Sequence, residues 1–143
     1  MTSTTGKSFT TQLQVRFGDV DPAGIVYYPK VYDFIHEAFE ELWDVFIGRR
    51  YYHLMGEEHL GFPLVHSEVD FKHPLRFGER PLVRVTCFKL GKSSVGLRYQ
   101  MTVEGTLCVE AEMTVVCVKL ETLASTPIPE DYKRKFEELL ETS

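Results

Sequence analysis

The chain has 143 residues, a length that fits a single domain over residues 1–143. Its 43% hydrophobic and 26% charged residues exclude a disordered or collagen-like chain, and its net charge of −5 argues against a nucleic-acid-binding protein, which usually carries a basic excess. It has no apolar run long enough to cross a membrane and no apolar core of a secretory signal. We therefore expect a cytoplasmic protein that binds neither nucleic acid nor membrane.

Five segments alternate apolar and polar residues with a period of two, which predicts strands with one buried face. These segments span residues 9–17, 63–71, 81–89, 95–103 and 106–120. In the second segment the expected buried side chains are Val65, Val69 and Phe71. Short glycine-containing turns join the last three segments, which predicts an antiparallel meander.

Residues 31–47 carry apolar side chains at helical spacing, which predicts one long amphipathic helix that ends at Gly48. Residues 49–61 are expected to form a loop or a short helix, and residues 130–140 a short C-terminal helix. A sheet with one apolar face must cover that face. The long helix, inserted after the first strand, can do so. The sequence therefore predicts an α+β fold in which the sheet curls round the helix.

The most unusual segment is FGDVDPAGIVYYP, residues 17–29, which joins the first strand to the long helix. Its two glycines, two prolines and two aspartates predict a tightly folded loop. The helix that follows offers free backbone N–H groups, which can stabilise a developing oxyanion. A carboxylate such as Asp21 beside these donors is suited to attack on an activated carbonyl. The alternative is an aspartate that only caps a turn or helix.

The same loop resembles the signature of hot-dog-fold acyl-CoA thioesterases of the 4-hydroxybenzoyl-CoA thioesterase class. The resemblance covers nearly the whole chain and includes the segments FPLVHSEVDF and IPEDY. It implies a hot-dog fold, in which a five-stranded antiparallel sheet wraps round one long helix. It also implies hydrolysis of an acyl-CoA substrate without a metal or an organic cofactor, in a homo-oligomer that is a dimer or a homotetramer with sites at subunit interfaces.

Carried over by position, the resemblance makes Asp21 the catalytic carboxylate, either as a nucleophile that forms a mixed anhydride or as a base that activates water. The backbone N–H of Tyr28 matches the donor that polarises the thioester carbonyl. Tyr27 belongs to the same motif and is expected to contact the substrate. Asp19 is expected to shape the loop.

The expected acyl pocket departs from that of enzymes specific for 4-hydroxybenzoyl-CoA. His36 occupies the helical position of an aspartate that meets the ring hydroxyl in those enzymes, and Phe62 replaces a small hydroxyl residue. Together with His66, these residues resemble thioesterases that act on 1,4-dihydroxy-2-naphthoyl-CoA. The alternatives are that His36 lies on a solvated helix face and that His66 lies on the sheet surface.

Residues 72–92 contain six lysines and arginines and one glutamate, which suits a polyanionic ligand such as the phosphates of CoA. By resemblance, Lys89, Lys92 and Ser93 occupy the nucleotide-binding region; the alternative is a solvated sheet face. The three cysteines form no CxxC pair and are expected to be buried thiols. The histidines lack the spacing of a zinc site.

Two other functions remain open at this stage. One is a hot-dog hydratase or dehydratase that acts on acyl-CoA or acyl carrier protein, although this chemistry requires a histidine that the loop lacks. The other is a non-catalytic module that binds acyl-CoA. Release of CoA from a panel of thioesters separates both from a thioesterase.

Overall fold

A computed structural model describes residues 3–4 and 7–142. The strands are β1 (Ser3–Thr4), β2 (Phe9–Gln12), β3 (Leu60–Gly61), β4 (Leu64–Phe71), β5 (Leu82–Leu90), β6 (Ser94–Val103), β7 (Thr106–Val116), β8 (Val118–Lys119) and β9 (Glu141–Thr142). The α-helices are α1 (Lys30–Glu41), α2 (Tyr51–Glu57) and α3 (Glu130–Glu138), with a 3-10 turn at Phe17–Asp19 and a π-helical turn at Leu42–Ile47. None of the described helices is long and apolar enough to span a membrane.

The five-stranded antiparallel sheet has the order β2-β5-β6-β7-β4. The predicted meander is confirmed, because β5, β6 and β7 are neighbours in chain order. On β6, side chains that face inward are buried and alternate with polar side chains on the outer face of the sheet, as predicted. The fifth predicted strand divides at Cys117, since β8 leaves the sheet and pairs with β3.

The predicted helix over residues 31–47 differs from the structure in its last turns. The α-helical geometry ends at Glu41, and the chain continues as a wider π-helical turn that Gly48 ends at a φ of 84°. This turn keeps Leu42, Trp43 and Ile47 buried. The Trp43 ring packs against surrounding aromatic rings, including Phe62 and Phe136 at centroid distances of 5.2 and 5.8 Å. The sequence period therefore predicts the extent of the helix but not its change of pitch.

The first and second predicted strands also differ from the structure. Regular pairing of β2 ends at Gln12, although Leu13 and Val15 still donate backbone hydrogen bonds across to Pro81 and Glu79. On β4 the predicted buried face is wrong at two of three positions, because Val65 and Phe71 are 59% and 54% exposed. At Val65 the alternation is broken, because the register with β7 shifts between Leu64 and His66. Phe71 is exposed because β4 is an edge strand.

The C-terminal segment runs beside β5, beyond the residues that pair with β2. The backbone N–H of Cys87 on β5 donates to the Leu139 carbonyl at 2.9 Å, and Glu141 accepts hydrogen bonds from Thr86 and Arg98 at 2.6 and 2.8 Å. Burial opposes the charge of the Glu141 carboxylate, but these hydrogen bonds outweigh burial and lower its pKa. The tail is therefore held by charge-assisted contacts on the outer face.

Candidate active site

The loop that carries Asp21 is a small hairpin in which Val20 pairs with Val26. One Asp21 carboxylate oxygen, Oδ1, accepts hydrogen bonds from the backbone N–H groups of Ala23 and Ile25 at 2.9 and 3.4 Å. Gly24 permits this turn because its φ is 80°, a value that residues with a Cβ rarely adopt. The exposed Asp21 side chain is thus oriented through Oδ1, and within residues 7–142 Oδ2 has no hydrogen-bond partner.

The hairpin is anchored to the segment that leads into β5. Val26 donates its N–H to the Leu75 carbonyl at 2.8 Å, and Phe77 donates to the Gly24 carbonyl at 3.0 Å. On the other side, Tyr27 donates to the Asp19 carbonyl at 2.9 Å. The Asp19 carboxylate accepts from the Arg16 N–H at 2.9 Å, as expected for a residue that shapes the loop.

Tyr28 lies at the entrance to α1, whose first turn begins with Pro29 at the N-cap. Its carbonyl accepts from the Val31 N–H, but its own N–H finds no acceptor in the described part of the chain. The positive end of the helix dipole strengthens such a donor toward an oxyanion. The side chains of Tyr27 and Tyr28 are exposed, with ring centroids 5.4 Å apart. A cavity of about 330 Å³ lies beside Tyr28 and is also lined by Phe71 and His73.

A second cavity, of about 470 Å³, lies between α1 and the sheet. Its walls are mainly apolar and aromatic, and they bring together His36 and Phe62, as predicted from the sequence. Most other wall residues were not predicted from the sequence, among them Tyr32, Tyr51, Met55 and Tyr99. The α1 spacing of Tyr28, Tyr32 and His36 could have indicated Tyr32, since residues four apart share a helix face.

His66 lies apart from His36 and Phe62. The hydroxyl of Ser67 on β4 lies 3.3 Å from that of Tyr32 on α1, so Ser67 faces inward. Because neighbouring side chains on a strand point to opposite faces, His66 and Glu68 face outward. There the His66 ring lies 3.4 Å from the Glu68 carboxylate. Within one chain, therefore, His36 and Phe62 line the cavity and His66 does not.

Lys92 and Ser93 lie in the turn between β5 and β6, and Lys89 lies just before it. The Asp21 hairpin adjoins the other end of β5, because Ile25 pairs with Arg76. Nine strand residues at about 3.3 Å each separate these ends by roughly 30 Å. The basic residues of the 72–92 segment therefore form two groups at opposite ends of the sheet, not one cluster.

Cys87, Cys108 and Cys117 are free and buried, which confirms the prediction of buried thiols. Burial raises the pKa of Cys87 to about 12 and that of Cys117 to about 11, so both thiols are protonated at neutral pH. Among the described residues no three His, Cys, Asp or Glu side chains converge in a way that could hold a metal ion.

A five-stranded antiparallel sheet, combined with a helix that follows a carboxylate-bearing loop, is the arrangement expected of a thioesterase. A family model described as the thioesterase-like superfamily matches residues 15–136, and the chain belongs to this superfamily. This confirms the family relationship inferred from the loop.

Individual relatives agree with this family. A 1,4-dihydroxy-2-naphthoyl-CoA hydrolase of Nostoc punctiforme is 30% identical over 124 residues, which are 87% of this chain and 83% of that protein. The crystal structure of a 1,4-dihydroxy-2-naphthoyl-CoA thioesterase from Synechocystis has a TM-score of 0.84 at 26% identity, covering 93% of this chain and 98% of the other. A gentisyl-coenzyme A thioesterase structure has a TM-score of 0.82 at 28% identity, covering 90% and 99%.

Proposed function

We propose that this protein hydrolyses an aromatic acyl-CoA thioester to the free acid and CoA. The observation that carries the proposal is the loop at residues 17–29. In the described part of the chain, one oxygen of its exposed carboxylate has no hydrogen-bond partner, and the N–H that follows at the helix start has no acceptor. The names of the relatives supply the substrate class, since they act on dihydroxynaphthoyl-CoA and gentisyl-CoA.

In this proposal Asp21 acts in one of two ways. As a nucleophile, its free oxygen forms a bond to the thioester carbon, the carbonyl electrons move to oxygen, and collapse of the oxyanion breaks the C–S bond to release the CoA thiolate. Water then cleaves the mixed anhydride to the acid and the Asp21 carboxylate. As a base, Asp21 takes a proton from the water that attacks the thioester carbon, collapse of the resulting oxyanion breaks the C–S bond, and the proton passes to the departing CoA thiolate. In both routes the Tyr28 N–H stabilises the oxyanion.

The cavity between α1 and the sheet supports an aromatic acyl group. Its volume of about 470 Å³ lies within the range of about 300–1,000 Å³ that is usual for small-molecule sites, which suits a ring system of one or two rings. Phe62 supplies a ring for edge or offset stacking. His36 supplies a hydrogen-bonding group on the α1 side of an otherwise apolar space.

We further propose that the functional unit is a homo-oligomer in which chains pair through the β4 edge. It is either a dimer or a tetramer made of two such dimers. No described strand pairs with the outer edge of β4, which carries the exposed apolar side chains Val65 and Phe71. Free apolar edges of this kind favour pairing with another strand.

The two cavities adjoin opposite ends of β4. Phe71 at its end lines the cavity beside Tyr28, whereas Leu64 at its start lines the larger cavity. Antiparallel pairing of two β4 edges about a twofold axis would set the Asp21 loop of one chain near the larger cavity of its partner. Within one chain, the β5–β6 turn is distant from Asp21. The same pairing would bring Lys89, Lys92 and Ser93 of the partner subunit toward the CoA nucleotide.

The experiment is a CoA-release assay on 4-hydroxybenzoyl-, 1,4-dihydroxy-2-naphthoyl-, benzoyl-, hexanoyl- and acetyl-CoA. We expect kcat/KM for the hydroxylated aromatic thioesters to exceed that for the straight-chain ones by about ten- to hundred-fold, through ring contacts and one hydrogen bond. Equal rates on all five would leave a general acyl-CoA thioesterase. Tight binding of the same thioesters with no CoA release would indicate a binding module and contradict the proposal.

A further inference from the structure

Tyr99 is a buried tyrosine whose hydroxyl has no partner in the described part of the chain. It lies on the inner face of β6, directly opposite Val85 and Ala111 on the neighbouring strands. The residue is 1% exposed and lines the cavity of about 470 Å³. Among the described residues, Trp43 Nε1 is sealed from solvent without a hydrogen-bond partner, whereas the Tyr99 hydroxyl is not fully sealed.

The other two tyrosines of the cavity wall have hydroxyls that are already engaged. The Tyr51 hydroxyl accepts a hydrogen bond from the Phe62 N–H at 2.7 Å. The Tyr32 hydroxyl lies 3.3 Å from the Ser67 hydroxyl. Tyr99 differs from both, because it offers a donor and an acceptor to the cavity and uses neither within the protein.

The Tyr99 ring is buried, but its hydroxyl is not sealed and belongs to the wall of a largely apolar cavity, so it is available to bond a ligand there. Phenylalanine would fill the same space without offering that bond. Burial raises the pKa of Tyr99, which keeps the group as a neutral O–H donor throughout the physiological range.

His36 and Tyr99 offer polar groups from opposite sides of the cavity, one from α1 and one from the sheet. A ligand that satisfies both has an apolar ring body and oxygen substituents at two positions. We propose that Tyr99 is a specificity-determining residue that hydrogen-bonds a hydroxyl or keto oxygen on the aromatic acyl group, at a ring position distant from the thioester. This inference rests on the proposed function, since it concerns the acyl group of that reaction.

The test compares two substrates that differ in one oxygen: 1,4-dihydroxy-2-naphthoyl-CoA and 1-hydroxy-2-naphthoyl-CoA. In the unaltered enzyme the first should have the higher kcat/KM. In Tyr99→Phe the ratio of the two kcat/KM values should fall by about 3- to 10-fold, the effect of one neutral hydrogen bond. Tyr52→Phe is the matched control, because Tyr52 is 74% exposed and lies outside the cavity wall.

A purely structural role for the Tyr99 hydroxyl predicts a different pattern. The Tm of Tyr99→Phe would then fall, and both substrates would be affected equally. Our inference predicts an unchanged or raised Tm together with the loss of discrimination. An unchanged substrate ratio in Tyr99→Phe overturns the inference even if both thioesters are hydrolysed.

Failure of the proposed function gives a separate result. If the unaltered protein releases no CoA from any aromatic thioester, the dissociation constants of the free acids 1,4-dihydroxy-2-naphthoate and 1-hydroxy-2-naphthoate are measured instead. A preference for the first acid that Tyr99→Phe abolishes supports the role of Tyr99 without catalysis. Equal affinities in both proteins contradict that role.

Discussion

The Asp21 hairpin and the cavity beneath α1 are built by different means. The hairpin is fixed almost entirely by backbone hydrogen bonds and one left-handed glycine, and its functional side chains are exposed. The cavity is formed by side chains from α1, α2 and the strands β4, β6, β7 and β8, and much of its wall is also the protein core. This difference predicts that changes in the hairpin alter chemistry with little loss of stability, whereas truncation of a buried side chain of the cavity wall also lowers stability.

The largest effect on stability is expected from Phe62→Ala. Phe62 is 4% exposed and packs against Trp43 and Phe136 at ring-centroid distances of 5.2 and 6.2 Å. Loss of a buried phenylalanine should lower the free energy of unfolding by about 3–5 kcal/mol, measured by urea denaturation. Tyr52→Phe, at an exposed site, is the control. A decrease in the free energy of unfolding below about 1 kcal/mol would contradict the proposed difference in stability between changes in the cavity and changes in the hairpin.

A smaller effect, on specificity alone, is expected from His36→Ala. The His36 side chain is exposed on α1 and lines the cavity without being part of the buried core. If it bonds a ring hydroxyl, the kcat/KM ratio of 4-hydroxybenzoyl-CoA to benzoyl-CoA should fall by about 3- to 10-fold, with Tm nearly unchanged. His59→Ala, at an exposed histidine outside the cavity wall, is the control. An unchanged ratio would assign His36 to the solvated helix surface.

The smallest effect is expected from Lys89→Ala and Lys92→Ala. Exposed ion pairs contribute about 0.2–1 kcal/mol, so each change should raise KM for CoA thioesters by about 1.5- to 5-fold. The increase should shrink in high salt, because salt screens exposed charges. Thioesters that lack the nucleotide serve as the comparison, and their KM should not change. An equal rise for both substrate types would exclude contact with the CoA phosphates.

The two regions also differ in how far the sequence predicts them. The hairpin is local, so a contiguous motif with glycines, prolines and an aspartate at fixed positions indicates both its shape and its chemistry. The cavity is assembled from distant segments, and only His36 and Phe62 were predicted for its wall. Tyr51 lies in a segment without a clear helical or strand period. Tyr99 is one member of the alternating buried side chains of β6, and its sequence position does not distinguish it from the others.

The fold, too, is only partly predictable from the sequence. Strand and helix periods predict the order of the elements and the meander of β5, β6 and β7. They do not predict that β4 is an edge strand, because alternation is the same at the edge and at the centre of a sheet. That position explains why Phe71 is exposed, whereas Val65 lies at the register shift between Leu64 and His66. Basic residues close in sequence, such as Arg80 and Lys89, lie near opposite ends of β5 because a strand extends the chain by about 3.3 Å per residue.

The most direct test of the account is the kcat of Asp21→Asn on its best aromatic thioester. The asparagine side-chain oxygen can still accept from the Ala23 and Ile25 N–H groups, so the hairpin should keep its shape. We predict that kcat falls by about 10²–10⁴-fold, with unchanged Tm and retained substrate binding. Asp33→Asn, at an exposed carboxylate on α1, should stay near the unaltered rate. Turnover of Asp21→Asn within a few fold of the unaltered protein would contradict the central claim.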